Sequence, residues 1–262
     1  MASFVSDGLN IAFNAVGWGD PVLLIHGFAA NRNQAWRSSG WFDLLDAAGL
    51  DYAAMDNRGH GESDKPPEPE AYAIDKMARD VINFLDYLEA KQANIVAHSM
   101  GAMISLALMR DFPDRFKSAV LCGVGETMLE ERDRRKAMAE ALTTSDTSTV
   151  KDETALSFRA FAESTGSDMA ALAACIQCAR PPVDRDVLGN IGIPVMVVTG
   201  SEDELSGKPE PLAALIPGAK AVTIDGATHH TIMADPEFKA VVCDFLGIGV
   251  PVDEAEEDRW KR

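Results

Sequence analysis

Ile95-Val96-Ala97-His98-Ser99-Met100-Gly101 changes its periodicity halfway along. Up to Ala97 the residues are apolar and β-branched or small, without alternation, as in a strand buried on both faces. Beyond Ser99 the apolar side chains of Met103, Leu106 and Ala107 return at helical spacing, and the run stops before Pro113. A strand therefore gives way to a helix at a serine with a small residue two positions before it, Ala97, and another two positions after it, Gly101. The spacing has a steric cause. A side chain displayed at a sharp strand-to-helix turn sits on strained backbone, and bulk at either small position would strike the adjoining strand or helix. Alanine at the first position keeps the crowding low, and that residue needs no positive φ.

The pattern spreads in both directions. Two strands at 4–6 and 9–15 flank Asp7-Gly8, a hairpin signal because both turn positions tolerate positive φ. Short, largely unalternating apolar runs follow at 22–25, 52–55, 94–97, 118–122, 195–199 and 221–224. Helical stretches separate most of them. The clearest spans about 73–90, with Ile74, Met77, Ala78, Val81, Leu85 and Leu88 on one stripe. The last carries Phe238, Val241, Val242, Phe245 and Leu246 and stops at Gly247. Strands alternating with helices predict an α/β fold: a mostly parallel, eight-stranded sheet covered on both faces. The alternation breaks over 125–190, which has no convincing strand and is rich in Ala, Met, Glu and Arg around a Thr/Ser passage at 143–149. The expected organisation is a core from 1–124 and 191–248, a helical insertion at 125–190 lying over one sheet end, and an acidic, mobile tail at 249–262.

A serine hydroxyl is a poor nucleophile until a base takes its proton. The chain has five histidines. His98 adjoins Ser99, and on a sharp turn adjacent side chains diverge; His26 and His60 stand in glycine-rich turns after earlier strands. His229 and His230, in Ile224-Asp225-Gly226-Ala227-Thr228-His229-His230, follow the last strand at the sheet edge that carries the serine, where parallel sheets present their ligand sites. A carboxylate to orient the base is expected from another strand end. Gly200-Ser201-Glu202-Asp203-Glu204 offers three acids in a row, and Asp203, third after the glycine, is the candidate.

The order Ser99, Asp203, His229 resembles that of the α/β-hydrolases rather than the chymotrypsin or subtilisin orders. The resemblance runs from about residue 3 to 248. It rests on His26-Gly27-Phe28, on Asp56-x-Arg58-Gly59-x-Gly61-x-Ser63, on the turn at Ser99, and on the Gly-x-x-Asp and Gly-Ala-x-His loops. Thr228 departs from a frequent glycine, and Ala97 from the first glycine of G-x-S-x-G. The resemblance selects His229 over His230, since the family's histidine stands third after the loop glycine. It implies an oxyanion hole from the backbone N–H groups of Phe28 and Met100, whose side chains would line an acyl pocket, and mainly bracing roles for His26, Arg58 and Ser63. It implies no metal and no organic cofactor. The insertion becomes a lid, with Met128, Leu129, Met138, Phe158, Phe161, Met169 and Leu172 as its apolar contacts.

Composition bounds the partners. A formal net charge of −17 over 262 residues argues against nucleic acid, whose phosphates need clustered Lys and Arg, and against anionic membrane surfaces. No run approaches the roughly 20 apolar residues of a membrane span. The N-terminal residues lack the basic start and apolar run of a secretory signal, so the expected location is the cytoplasm. Of the four cysteines, Cys175 and Cys178 form a C-x-x-C, but no second pair or nearby histidine completes a zinc site, and residues three apart on a helix share a face. They are expected to be small, half-buried packing residues.

The expected reaction is hydrolysis of a small-molecule carboxylic ester or acyl substrate through an acyl-enzyme. Perhydrolysis, lactone or amide hydrolysis and carbon–carbon bond hydrolysis share the triad. Carbon–carbon hydrolases of the family carry a more glycine-rich loop than Phe28-Ala29-Ala30-Asn31, and the related epoxide hydrolases and dehalogenases use aspartate as nucleophile. An inert ligand-binding member has less need of all three groups.

Overall fold

Asp7 and Gly8 both take positive φ, 52° and 77°, and fold β1 (Ala2–Ser6) back onto β2 (Leu9–Val16). The computed structural model describes residues 2–130, 135–178 and 184–249. Six more strands follow: β3 (Val22–Ile25), β4 (Tyr52–Met55), β5 (Ala93–His98), β6 (Phe116–Cys122), β7 (Val195–Gly200) and β8 (Lys220–Ile224). They make one eight-stranded sheet in the order β1-β2-β4-β3-β5-β6-β7-β8. β1 and β2 run antiparallel to their neighbours, and β4, β3, β5, β6, β7 and β8 pair in parallel.

Helices cover both faces: α1 (Trp41–Ala47), α2 (Ile74–Tyr87), α3 (Met100–Asp111), α4 (Arg135–Thr143), α5 (Glu153–Ser164), α6 (Met169–Gln177), α7 (Arg185–Gly189), α8 (Glu210–Ala213) and α9 (Pro236–Leu246). Alternate residues of each central strand feed separate cores. Leu23, Ile25, Ile95 and Ala97 pack with Met77, Val81 and Leu85 of α2 and Ile104 and Leu108 of α3. Leu24, Val96 and Val198 pack with Trp41 of α1 and Phe238 and Val242 of α9. Burial on both faces is why these strands show no alternation. α9 opens on the Asp235 side chain, which accepts from the Glu237 and Phe238 N–H groups, and closes on Gly247 at φ 68°.

α4 to α7 all stand between β6 and β7. No described residue of 125–190 lies in a strand. Aspartates start three of these helices: the Asp152, Asp168 and Asp184 carboxylates accept from the N–H groups of Ala155, Ala171 and Asp186. The far end of α5 ties back to the loop after β3, where Thr165 Oγ1 donates to the Ala29 carbonyl at 2.9 Å. The acidic tail lies outside the described residues apart from position 249. No helix among the described residues is long and apolar enough to cross a membrane.

Two readings of the sequence change. α1 was not foreseen, because Gly40 caps it without a side-chain bond and the preceding Arg37-Ser38-Ser39 is polar, yet Trp41, Phe42 and Leu45 are buried there and Trp41 Nε1 donates to the Met233 carbonyl at 2.9 Å. Cys175 and Cys178 are fully rather than half buried; Cys175 lies within α6, and Cys178 is its C-terminal cap.

The small residue after the serine tests the steric argument. A Cβ on Gly101 would overlap the Ile25 carbonyl oxygen and come within 2.9 Å of that of His26, both of them backbone atoms. Gly101→Ala is expected to cost about 3 kcal/mol, the upper range for overpacking, because backbone cannot yield as a side chain can. Thermal melts that coincide with the parent protein would refute the close contact.

Candidate active site

β5 ends at His98, α3 begins at Met100, and Ser99 between them takes φ 52° and ψ −113°. Positive φ is costly for a residue with a Cβ. The surroundings hold it: the Ser99 N–H donates to the Cys122 carbonyl of β6 at 2.8 Å, and its carbonyl accepts from Met103 at 3.1 Å. The side chain is thereby turned out at the C-terminal edge of the sheet, where Ser99 Oγ lies 3.0 Å from His229 Nε2.

His229 stands in the loop after β8, and its Nδ1 lies 2.9 Å from Asp203 Oδ2. A carboxylate accepts, so Nδ1 carries the proton and Nε2 presents its lone pair to the serine hydroxyl. Asp203 is buried, whereas Glu202 and Glu204 are exposed, which separates the three acids of that loop. Its Oδ1 accepts from the Leu205 and Ser206 N–H groups at 3.0 Å each, and its Oδ2 accepts from Ser206 Oγ at 2.7 Å. Burial pushes this carboxyl's pKa upward, but the His229 ring and the Ser206 donors outweigh it and hold the group below its usual value. Ser206 was missed in the sequence. Its signal was the Asp-x-x-Ser spacing of a local side-chain cap.

The remaining histidines have other duties. His98 Nε2 lies 2.9 Å from the His229 carbonyl oxygen, which only a donor can satisfy. Its ring fits between two glycines: a Cβ on Gly27 would lie 2.9 Å from Nδ1, and one on Gly123 would lie 2.9 Å from Nε2. His26 accepts the Asn57 N–H at its Nε2, 2.9 Å away. His60 packs edge-on against Phe28 at 5.8 Å. His230 is exposed and lies against Phe161 and Phe158, with ring centroids 4.8 and 5.7 Å away.

Phe28 follows β3, the neighbour of β5, and is buried beside Ser99 and Met100 at the edge of one cavity. Ala29, next in the chain, takes φ 60°, and its carbonyl is the one held by Thr165. Met100 is the first residue of α3, where backbone N–H groups point out along the helix axis. Below this loop, Arg58 grips Asp80 with two hydrogen bonds of 2.7 and 2.8 Å, and Ser63 Oγ links Ala12 to Asp56. Arg32, unremarked in the sequence, adds an ion pair to Asp56. Met128, Met138 and Phe158 border the cavity shared by Phe28 and Met100, and Phe161 borders a second one beside it. Leu129, Met169 and Leu172 turn to the core instead.

Ser99, Asp203 and His229 thus reach one edge of the sheet through the loops after β5, β7 and β8. The chain belongs to the alpha/beta hydrolase fold family, which it matches over residues 20–167. Over 115 residues it is 34% identical to epoxide hydrolase 2 of Siraitia grosvenorii, covering 44% of this chain and 35% of that protein. Over 132 residues it is 33% identical to the non-heme chloroperoxidase CPO-A1 of Kitasatospora aureofaciens, covering 49% of this chain and 45% of that protein. A solved structure of Est816, described as an N-acyl homoserine lactone degrading enzyme, is similar at a TM-score of 0.73 and 25% identity, over 93% of this chain and 100% of that one. The chain spans less than half the length of these two curated relatives.

Burial lowers the pKa of His26 to about 4 and that of His98 to about 3 from the ordinary 6.5, so both stay neutral in the folded protein. In the unfolded chain each protonates near 6.5, so the unfolded state binds more protons below that pH. The stability they contribute is complete above about pH 6.5 and is lost as pH falls toward 4, on the order of 3 kcal/mol for His26 alone. Melts between pH 8 and 4 should show Tm level at first and then falling through this window; a level Tm down to pH 4 would contradict neutral burial.

Proposed function

We propose that this protein hydrolyses carboxylic esters through an acyl-enzyme, with Ser99 as nucleophile, His229 as general base and acid, and Asp203 orienting the base. The observation that carries this reading is the unbroken chain from Ser99 Oγ through His229 to Asp203, at 3.0 and 2.9 Å. As Ser99 attacks the carbonyl carbon, His229 takes its proton, and Asp203 stabilises the imidazolium. The oxyanion would be met by the Phe28 and Met100 N–H groups, each worth roughly 3 kcal/mol in a site closed to water. His229 then protonates the leaving alcohol, and water repeats the sequence in reverse. The described residues of 125–190 act as a lid, with Met128, Met138, Phe158 and Phe161 bordering the cavities at Ser99.

Epoxide opening, the activity named for one relative, does not suit a serine. A carboxylate nucleophile would open the ring to an ester that water can cleave; an alkoxide would open it to an ether, which the same machinery cannot release. Lactones remain within the reading, because a lactone is a cyclic ester. Peracid formation is a second reading, favoured by the chloroperoxidase relative, and differs only in hydrogen peroxide replacing water on the acyl-enzyme.

Ser99→Ala should lower kcat by at least about 10⁴-fold and leave the melting curve in place, since only a hydroxyl is lost. His229→Gln should approach that loss, while His230→Gln should cost less than about tenfold. p-Nitrophenyl esters from acetate upward, assayed with and without peroxide, provide the measurement. Retained turnover in the Ser99 variant, or a reversed order of the two histidines, would overturn the assignment. Labelling by a serine-directed fluorophosphonate should vanish in Ser99→Ala.

A further inference from the structure

Two cavities meet at Ser99. The larger, about 260 Å³, follows the nucleophile's own helix and is bordered by Met100, Met103, Met128 and Met138. The smaller, about 170 Å³, follows the loop of the base and is bordered by His230, Met233 and Ala234 on one side and Gln34 and Ser38 on the other. Phe28 and Phe158 border both, and their rings meet edge to face at 5.8 Å, so this pair forms the wall between the chambers. Both volumes fall below the roughly 300–1,000 Å³ of pockets that take drug-sized ligands, so each limb of a substrate here is short.

The chambers differ in what their polar groups are doing. In the larger, Thr127 Oγ1 donates to the Leu205 carbonyl at 2.6 Å and Ser206 Oγ to Asp203 at 2.7 Å, so these hydroxyls are engaged within the protein. In the smaller, the Gln34 side-chain amide and the His230 ring nitrogens make no hydrogen bond with any described residue; Gln34 bonds only through its backbone, and His230 only stacks. No Lys, Arg, Asp or Glu among the described residues borders either chamber.

Resting on the ester-hydrolase reading, we propose that the substrate is an uncharged ester of a short apolar acyl group and a small alcohol bearing its own hydrogen-bonding group, with Gln34 and His230 selecting the alcohol. The direction follows from the linings, since Ser99 and His229 border both chambers. The bond from Ser99 Oγ to the carbonyl carbon forms, the bond from that carbon to the alcohol oxygen breaks, and the departing oxygen takes the proton held on His229 Nε2. The alcohol leaves through the chamber of Gln34 and His230, whose unengaged polar groups can meet it. The acyl group stays on Ser99, beside Met100 and Met103, until water releases it. An alcohol with a second hydroxyl can satisfy the Gln34 amide; an alkyl alcohol of the same size strips that amide of water and returns nothing.

The test compares 2-hydroxyethyl butyrate with its isostere propyl butyrate by pH-stat titration. The parent protein is expected to prefer the hydroxyl-bearing ester by about tenfold in kcat/KM, the value of one hydrogen bond to a half-buried amide. Gln34→Leu and His230→Phe, the second chosen to keep the ring packing, should each bring that ratio toward one. A parent ratio of one or less, or a ratio unmoved in both variants, overturns the inference. So does failure to cleave either ester while Ser99 still takes a fluorophosphonate. If neither ester is cleaved and Ser99 does not label, it is the ester-hydrolase reading that falls.

Discussion

The backbone of Gly101 lies directly against the backbone carbonyls of Ile25 and His26, so that even a methyl group would not fit between them. That contact sets how closely α3 can start to the end of β3, the neighbour of β5, and so how sharply the chain must turn at Ser99. It also brings two stretches of backbone side by side. Ile25 runs on through His26 and Gly27 to Phe28, while Gly101 is preceded by Met100 and Ser99. The two proposed oxyanion donors are neighbours because the strand that leads to one supports the helix that carries the other. The strain at Ser99 and at Ala29, both at positive φ, is held by bonds from outside the turn: Cys122 on one side and Thr165 on the other. The helical insertion is thus tied mechanically to the loop that carries Phe28.

Around this turn the charges are few and placed with care. The surface is strongly acidic, but of the three adjacent acids after β7 only Asp203 is buried, and every oxygen it presents is met by a donor. Of the other buried histidines, His26 and His98 lie inside the fold in neutral form. One of them, His98, spends its proton on the carbonyl of the base itself, so the backbone of His229 is held from below while its ring is held from the side. A neutral imidazole can occupy that position without opposing the imidazolium that the proposed mechanism forms on His229; a permanently charged side chain there would not.

Much of the architecture was legible in the chain. The strands at 22–25 and 52–55, the hairpin at Asp7-Gly8 and the stop at Gly247 each follow from local rules: buried strands do not alternate, and positive φ selects Gly and Asp. Where local rules were silent, reading failed. α1 has no capping side chain, and it is stable because Trp41 reaches Met233, 192 residues away. Arg32 and Gln34 carry no motif either, since each matters only for what a distant segment brings to it, and Ser206 shows only the Asp-x-x-Ser spacing of a local cap.

The linear chain thus determined that a serine would stand on a strained turn between a buried strand and a helix, and that histidine and acid loops would follow later strands. Those are consequences of periodicity and steric size, which act over a few residues. Only the folded structure decided that Ser99, Asp203 and His229 share one edge at hydrogen-bonding distance, that one of two adjacent histidines faces the serine while the other stacks on α5, and that an aromatic pair divides the space beside them in two. Each of these depends on the twist and order of a sheet whose neighbouring strands are far apart in sequence. Distances of 3 Å between such segments are set by the packing of the whole core and are written in no single stretch of residues.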